Sequence, residues 1–298
     1  MFAALGLTLI PLGPVRAGTK FTLETAQTAA KTGNAEALYF LAQHYAKGDG
    51  VPQNYTNAAI YMRKAADRGN TFAQNDLGAF YARGLGVEQD FQEAAKWYRK
   101  AAENGDALAQ FTLGTIYSQG RGVPKDPQES IKWYRKSARH KQADAMLALG
   151  DIYLRDHGVA IDCPEAVRWF RKALKQGRVD ALNSLGALYE AGARGVPQNV
   201  RKAFACYHQA AEKGNAKGQM NLGRMYLEGV GVEADFAQAY KWFYLAHSNG
   251  DRIANHYLQV LQGDTLVFSA KLTPAQIAEA KRQAAELQKR IQGNKAAR

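Results

Sequence analysis

The sequence predicts an all-α fold: a right-handed α-solenoid of about six helix-turn-helix repeats with a C-terminal capping helix. Three observations carry this. The first is self-similarity at a fixed step of 36 residues, where Leu77-Gly78 returns as Leu113-Gly114, Leu149-Gly150 and Leu185-Gly186. Tyr81, Tyr117, Tyr153 and Tyr189 follow three residues behind each pair. The second is that Gly86, Gly122 and Gly158, and Trp97, Trp133 and Trp169, keep the same step. The third is the spacing inside one copy, which places Ala73, Leu77, Gly78 and Tyr81 on one helical stripe and Ala94, Trp97 and Ala101 on another. A helix pair this small cannot bury its apolar stripes alone, so neighbouring copies must stack to do it.

Each copy reads as helix A, a glycine-punctuated loop, and helix B. Gly84 and Gly86 end helix A, because a left-handed C-terminal cap favours glycine. Asp90 then caps helix B, with Glu93 expected to close a capping box. Asp126 with Glu129, Asp162 with Glu165, and Asp235 with Gln238 repeat the device, and Pro127 takes the first helical position. Gly78 and its counterparts are expected to let helix B approach closely, with Trp97 and its counterparts filling the space between helices. The copies run over 34–69, 70–105, 106–141, 142–177, 178–214 and 215–250. The fifth gains one residue within 190–195, after which Leu222-Gly223, Tyr226, Gly231 and Trp242 resume the register. The first copy is weaker, with Leu41-Ala42, Tyr45, Gly50 and Tyr61.

Residues 18–33 read as an N-terminal capping segment, able either to begin the stack or to lie in its groove. Residues 251–298 read as a partial repeat followed by a capping helix. Thr273 caps that helix, Pro274 is its first residue, Gln276 completes a box, and Leu272 can staple to Ile277.

At these residues the chain resembles the Sel1-like repeat family, relatives of the tetratricopeptide arrays. The shared pattern is Ala-x-Ala-x-x-x-Leu-Gly-x-x-Tyr-x-x-Gly-x-Gly-Val, then Asp-x-x-x-Ala-x-x-Trp-Tyr-x-Lys-Ala-Ala. Residues 107–138 follow it closely, with Ser130 and Ser137 in place of Ala. Asp156, Lys141 and Cys206 replace a loop Gly, an end Gly and a Trp. The resemblance implies a non-enzymatic adaptor for a protein or peptide, as in envelope assembly, signalling regulation or host interaction.

Composition narrows the classes further. With 298 residues and 46% hydrophobic side chains, the chain can bury a sizeable core, which excludes wholesale disorder. Two cysteines make neither a disulfide framework nor a cysteine zinc site. Cys163 and Cys206 sit six residues out of register, about 9 Å along a helix, so two free thiols are expected, Cys206 buried. No stretch reaches the ~20 apolar residues of a membrane-spanning helix. Residues 1–17, with an apolar run from Phe2 to Leu12 and small or apolar Val15 and Ala17, read as a signal peptide, whole or the truncated end of a longer one since a basic start is missing. The expected location is therefore periplasmic or secreted and bacterial, with the cytoplasm as the alternative.

The sequence offers little chemistry. No His pair has metal spacing, and there is neither a phosphate-binding loop nor a nucleophile elbow. His157 and Cys163 lack a third orienting group. No catalytic residue, cofactor or metal site is assigned. The net charge of +12 and the runs Lys96–Lys100, Lys132–Lys136 and Arg168–Lys172 interleave cations with aromatics, as nucleic-acid sites can. Periodicity explains the aromatics, so these runs read first as a solvated helix-B face. A binder of anionic polymer (cell-wall polysaccharide, nucleic acid or acidic lipid) acting through that basic convex face remains the alternative function.

The first reading puts a protein or peptide partner on the concave helix-A surface, with the chain a monomer or weak dimer. At 100° per residue, Phe72, Asn75 and Asp76 should point away from the inner stripe. Their register positions add Tyr39, Phe40, Phe111, Thr112, Leu147, Asn183, Met220 and Asn221. Asn75 and Asn183 are expected to hydrogen-bond a ligand backbone.

Overall fold

The computed structural model describes residues 21–155, 158–263 and 272–296. The run at 1–17, Asp156 and His157 lie outside the described residues. Among the described residues there are fifteen helices and no strand. They fall into two compact units, Met1–Ala145 and Met146–Arg298.

The first unit contains α1 (Leu23–Lys31), α2 (Ala35–Lys47), α3 (Tyr55–Asp67), α4 (Thr71–Arg83), α5 (Phe91–Glu103), α6 (Ala107–Gln119) and α7 (Pro127–Arg139). Even-numbered helices are A helices and odd-numbered ones are B helices. Each A packs on its own B (α2 on α3, α4 on α5, α6 on α7), and α3 packs on α4 and α5 on α6. The tryptophans explain the second set of contacts. Trp97 of α5 is buried among Leu38 and Ala42 of α2, Met62 of α3 and Leu77 of α4, so it ties its repeat to the one before. Trp133 does the same against Tyr98 and Leu113.

The residue over the helix-A glycine is the one after Trp. A Cβ on Gly78 would lie 3.0 Å from the Tyr98 ring, and one on Gly114 would lie 2.7 Å from Tyr134. Trp, expected between helices, shares that space with this second aromatic. Trp joins repeats, and the following aromatic packs within one.

The loops of the first three repeats are closed the same way. Gly84 adopts φ +68° and caps α4. Gly86 has no room for a side chain, because a Cβ would fall onto the Tyr55 carbonyl at the start of α3. Asp90 caps α5 by accepting from the amides of Gln92 and Glu93. The expected reciprocal bond from Glu93 is not made, for a definite reason. The Asp90 N–H already donates to the Tyr81 carbonyl at 2.9 Å, and the Glu93 carboxylate turns to Lys96 at 2.6 Å. Asp126 repeats this with Tyr117, and Asp162 with Tyr153.

Helix α1 begins the stack. It packs on α2, Phe21 meets Phe40 with ring centres 6.1 Å apart, and Gly33 follows it as Gly69 follows α3.

The second unit contains most of α8 (Ala143–Leu154), then α9 (Cys163–Lys175), α10 (Asp180–Ala191), α11 (Val200–Glu212), α12 (Ala216–Glu228), α13 (Phe236–Ser248), α14 (Ala254–Gln262) and α15 (Pro274–Ala296). Trp242 is buried with Tyr207, Leu222 and Met225, and Ala284 of α15 joins that cluster. The start of α15 is built as expected: Thr273 and Gln276 exchange both capping-box bonds, at 2.9 and 3.3 Å. Leu272 and Ile277 meet in one apolar cluster with Leu258 and Leu261 of α14. Both cysteines are free, but Cys206 is half-buried where burial was expected, and its surroundings push the thiol pKa up. No helix among the described residues is long and apolar enough to cross a membrane.

Candidate functional site

The helix-A face of the first unit gathers the densest set of predicted residues. Phe72 of α4 is 39% exposed, large and apolar. It stacks on Tyr39 of α2 with ring centres 6.3 Å apart and planes at 28°. Phe111, one repeat on, is half-buried and leans on Tyr134 at 5.6 Å. Tyr39 and Phe72 thus form a stacked pair across two consecutive A helices, while the Phe111 ring packs within its own repeat.

Beneath them lies a polar seam that the sequence reading placed at the surface. Phe40, Asn75, Asp76 and Thr112 are buried, at 6, 5, 4 and 2% exposure, which corrects the expectation that they point outward. Each correction has a cause. Phe40 is covered by Phe21 and α1. Asp76 accepts from the Tyr39 hydroxyl at 2.8 Å and from the Asn75 side-chain amide at 3.2 Å. Gln43 in turn donates to the Tyr39 oxygen at 2.8 Å. Burial pushes the Asp76 pKa from 3.8 up to about 6, although the bonds from Tyr39 and Asn75 pull it down. The Coulomb effect of Asp106 adds to the rise and that of Lys47 opposes it. Burial also pushes the Tyr98 hydroxyl up, and Asp76 contributes to that rise. The Asn75 Oδ1, Tyr98 hydroxyl, Gln110 Oε1 and Thr112 Oγ1 are buried without a hydrogen-bond partner. In the next repeat Thr115 supplies the partner that Tyr98 lacks, 3.0 Å from the Tyr134 hydroxyl, because Ala79 stands at the Thr115 position in α4.

In the second unit Leu147, Asn183, Met220 and Asn221 are half-buried. The side-chain amide of Asn183 is committed within the chain, donating to Asn215 at 2.8 Å. With Asn75 committed to Asp76, both amides expected to hold a ligand backbone are already donating inside the protein. Met220 packs into the cluster around Tyr240 and Phe243. Arg224 bridges Glu190 at 2.5 Å and Glu228 at 2.9 Å, and Tyr207 donates to Glu190 at 3.0 Å. Burial pulls the Arg224 pKa down, but the two carboxylates raise it further, so the net shift is upward.

Two features escaped sequence reasoning. Gln74, Gln110 and Gln219 each donate to a carbonyl at the end of the preceding helix B: Ala66, Ala102 and Ala211. An amide recurring in register beside the apolar stripe was the available signal. Arg224 and Glu190 carried no signal, because each occurs at its repeat position only once.

The cation–aromatic runs have structural partners. Lys100, Lys136 and Lys172 lie 4.0, 3.9 and 3.9 Å from the ring centres of Trp97, Trp133 and Trp169. Arg63, Arg99 and Arg171 donate to the tyrosine hydroxyls of the next helix A: Tyr81, Tyr117 and Tyr189. Lys96 and Lys132 pair with Glu93 and Glu129.

The Sel1 repeat family model matches this chain six times, over residues 35–70, 71–106, 107–141, 143–177, 179–215 and 216–251. The chain belongs to the Sel1 repeat family. Its fold is the α-solenoid of that family, and such repeats generally mediate protein–protein interaction on non-catalytic scaffolds. One similar solved structure is a protective antigen present in uropathogenic Escherichia coli strains, which displays an SLR fold. It is 34% identical with a TM-score of 0.76, over 89% of this chain and 56% of that one. Another is a Sel1 repeat protein from Oxalobacter formigenes, 32% identical with a TM-score of 0.67, over 80% of this chain and 68% of that one. Among curated proteins, a chitin synthase regulatory factor of Schizosaccharomyces pombe is 40% identical over 63 residues, 21% of this chain and 7% of that protein. The chain thus spans little more than half of the E. coli antigen's length and a small part of the yeast protein's.

Proposed function

We propose that this Sel1 repeat chain is a non-enzymatic scaffold that binds a protein or peptide on the helix-A face of its first unit. The observation that carries the reading is the stacked Tyr39–Phe72 pair with its exposed Phe72. An exposed phenylalanine held by ring stacking is a preorganised anchor, and aromatic anchors supply much of the binding energy of protein interfaces. The Asp76 seam beneath it fixes Tyr39 by hydrogen bond. Export to the periplasm or beyond, read from residues 1–17, belongs to the same proposal.

The test is affinity capture from the native organism with wild type and with Phe72→Glu/Phe111→Glu, after both show the same helical signal and melting temperature. One recurrent protein lost in the variant supports the reading. Equal recovery with both forms rejects the helix-A face.

A further inference from the structure

Four features recur where one repeat meets the next. Asn70, Asp106 and Asn215 cap helix A by accepting the amide three residues on, at 2.8, 2.6 and 3.0 Å. Gln74, Gln110 and Gln219 donate to the end of the preceding helix B. A loop glycine lies on the first residue of the preceding helix B: a Cβ on Gly86, Gly122 or Gly231 would fall 2.2, 2.2 or 2.7 Å from the carbonyl oxygen of Tyr55, Phe91 or Val200. Trp97, Trp133 and Trp242 are buried at 4, 3 and 3% exposure. The junctions of repeats one with two, two with three, and five with six carry all four.

Where repeat four meets repeat five, inside the second unit, all four are altered. Arg178 stands at the cap position, and α10 starts one residue late behind Val179 with no side-chain cap. Leu182, which cannot donate, stands at the Gln position. Gly195, behind the residue inserted within 190–195, is off the backbone: its Cβ would meet the Pro164 ring at 2.7 Å and no main-chain atom of α9 within 4 Å. Cys206 replaces the Trp and is half-buried. Arg171 still reaches the Tyr189 hydroxyl at 2.8 Å. On the far side the helices are bound to one another. Asn215 of the fifth-to-sixth junction donates to Asp180 and accepts from Asn183, both at 2.8 Å, and Arg224 of α12 bridges Glu190 of α10 at 2.5 Å. Helix α15 closes this block, with Gln288 on Asn249 at 3.0 Å and Arg290 near Glu212 at 3.6 Å.

We propose that the α9–α10 junction is a built-in joint at which the second unit opens, α10–α15 parting from α9 as one cooperative block. In a solenoid each repeat touches only its neighbours, so a weak interface is not made good by contacts elsewhere. A cap, a buried amide bond, a close backbone approach and a large buried ring each add to an interface, and this one lacks them together. Opening there has two consequences. It changes the curvature of the helix-A surface within the second unit, and it presents the Cys206 thiol to solvent. The inference does not depend on where a partner binds.

The experiment is native-state hydrogen exchange of the full chain, read by mass spectrometry, with maleimide labelling of Cys206 followed on the same peptides. The proteins are wild type and two variants that each restore one missing feature. Arg178→Asn supplies the helix cap and gives up an exposed ion pair with Asp180, which is worth little. Cys206→Trp supplies the ring. Circular dichroism first identifies which variants keep the wild-type helical signal. In the wild type the last turn of α9 and the whole of α10 should show protection factors about tenfold or more below those of the last turn of α11 and α12. Arg178→Asn should slow both that exchange and Cys206 labelling about fivefold, the weight of one helix cap, and leave α12 unchanged. Cys206→Trp should slow the exchange in the same segments. Equal protection at the two junctions of the wild type would overturn the proposal. So would unchanged exchange at the α9–α10 junction in every variant that keeps its helical signal.

Discussion

Replacing Asp76 with asparagine should stabilise the protein at neutral pH and leave it nearly unchanged at pH 4. Asp76 ionises near its ordinary pKa of 3.8 in the unfolded chain but at about 6 in the folded one. Below 3.8 both states carry the proton and the residue costs nothing. Between 3.8 and about 6 the unfolded state ionises first, so stability falls as pH rises. Above 6 the whole cost is present. A difference of about two units corresponds to about 3 kcal/mol at 1.36 kcal/mol per unit. Desolvation wins here although two hydrogen bonds oppose it, because the side chain is almost fully buried. The neutral amide removes the cost and keeps an acceptor for Tyr39. A half-turn of the Asn75 amide brings its unpartnered Oδ1 towards the new donor. Urea unfolding of both proteins from pH 4 to pH 8 reads the effect as a difference that grows through this window. A carboxyl carbon titration by NMR reads the Asp76 pKa directly. A flat difference with pH, or a titration near 4, would refute the reasoning.

Lys141 should be more stable as glycine, by about 1 kcal/mol, since it alone among the described non-glycine residues has a positive φ, +62°, at a position where other repeats carry glycine. Thermal melting checks this. Gly114→Ala should cost about 1–3 kcal/mol, because its Cβ would sit 2.7 Å from the Tyr134 ring, while Gly293→Ala in α15 meets nothing within 4 Å and should be neutral or stabilising. Denaturant unfolding of the two variants separates steric cost from helix propensity. Gln110→Leu should destabilise by about 1 kcal/mol or less, because the Ala102 carbonyl loses the side-chain donor but keeps the Gly105 N–H, and the unpartnered Gln110 Oε1 goes with it. Hydrogen exchange at the α5–α6 junction would show it as local loss of protection.

The fold was legible because the 36-residue register repeats its signals six times. Leu-Gly, the capping Asp and the Trp each recur often enough to outweigh local departures such as Cys206. The departures at Ser130 and Ser137 prove harmless for a reason only geometry supplies: their hydroxyls donate to the carbonyls of Gly114 and Ala107 at 2.8 and 2.7 Å. The candidate site was less legible. Helical angle alone separates an inner from an outer stripe within one helix, and Phe72 and Phe111 follow it. It does not see a neighbouring helix. Phe40 was placed outward because nothing in its own repeat shows that α1 will cover it. Asp76 was placed outward by its helical angle, and the Tyr39 hydroxyl that permits its burial is 37 residues away.

The most direct test of the scaffold account is a photo-crosslinking amino acid at position 72, compared with one at Ile60, which is 48% exposed on a B helix of the same unit. Expressed in the native organism, the account predicts one specific protein adduct from position 72, none from position 60, and an affinity for the purified partner that falls when Phe72 becomes Glu. An adduct from position 60 alone, or a partner whose affinity ignores Phe72, would contradict it.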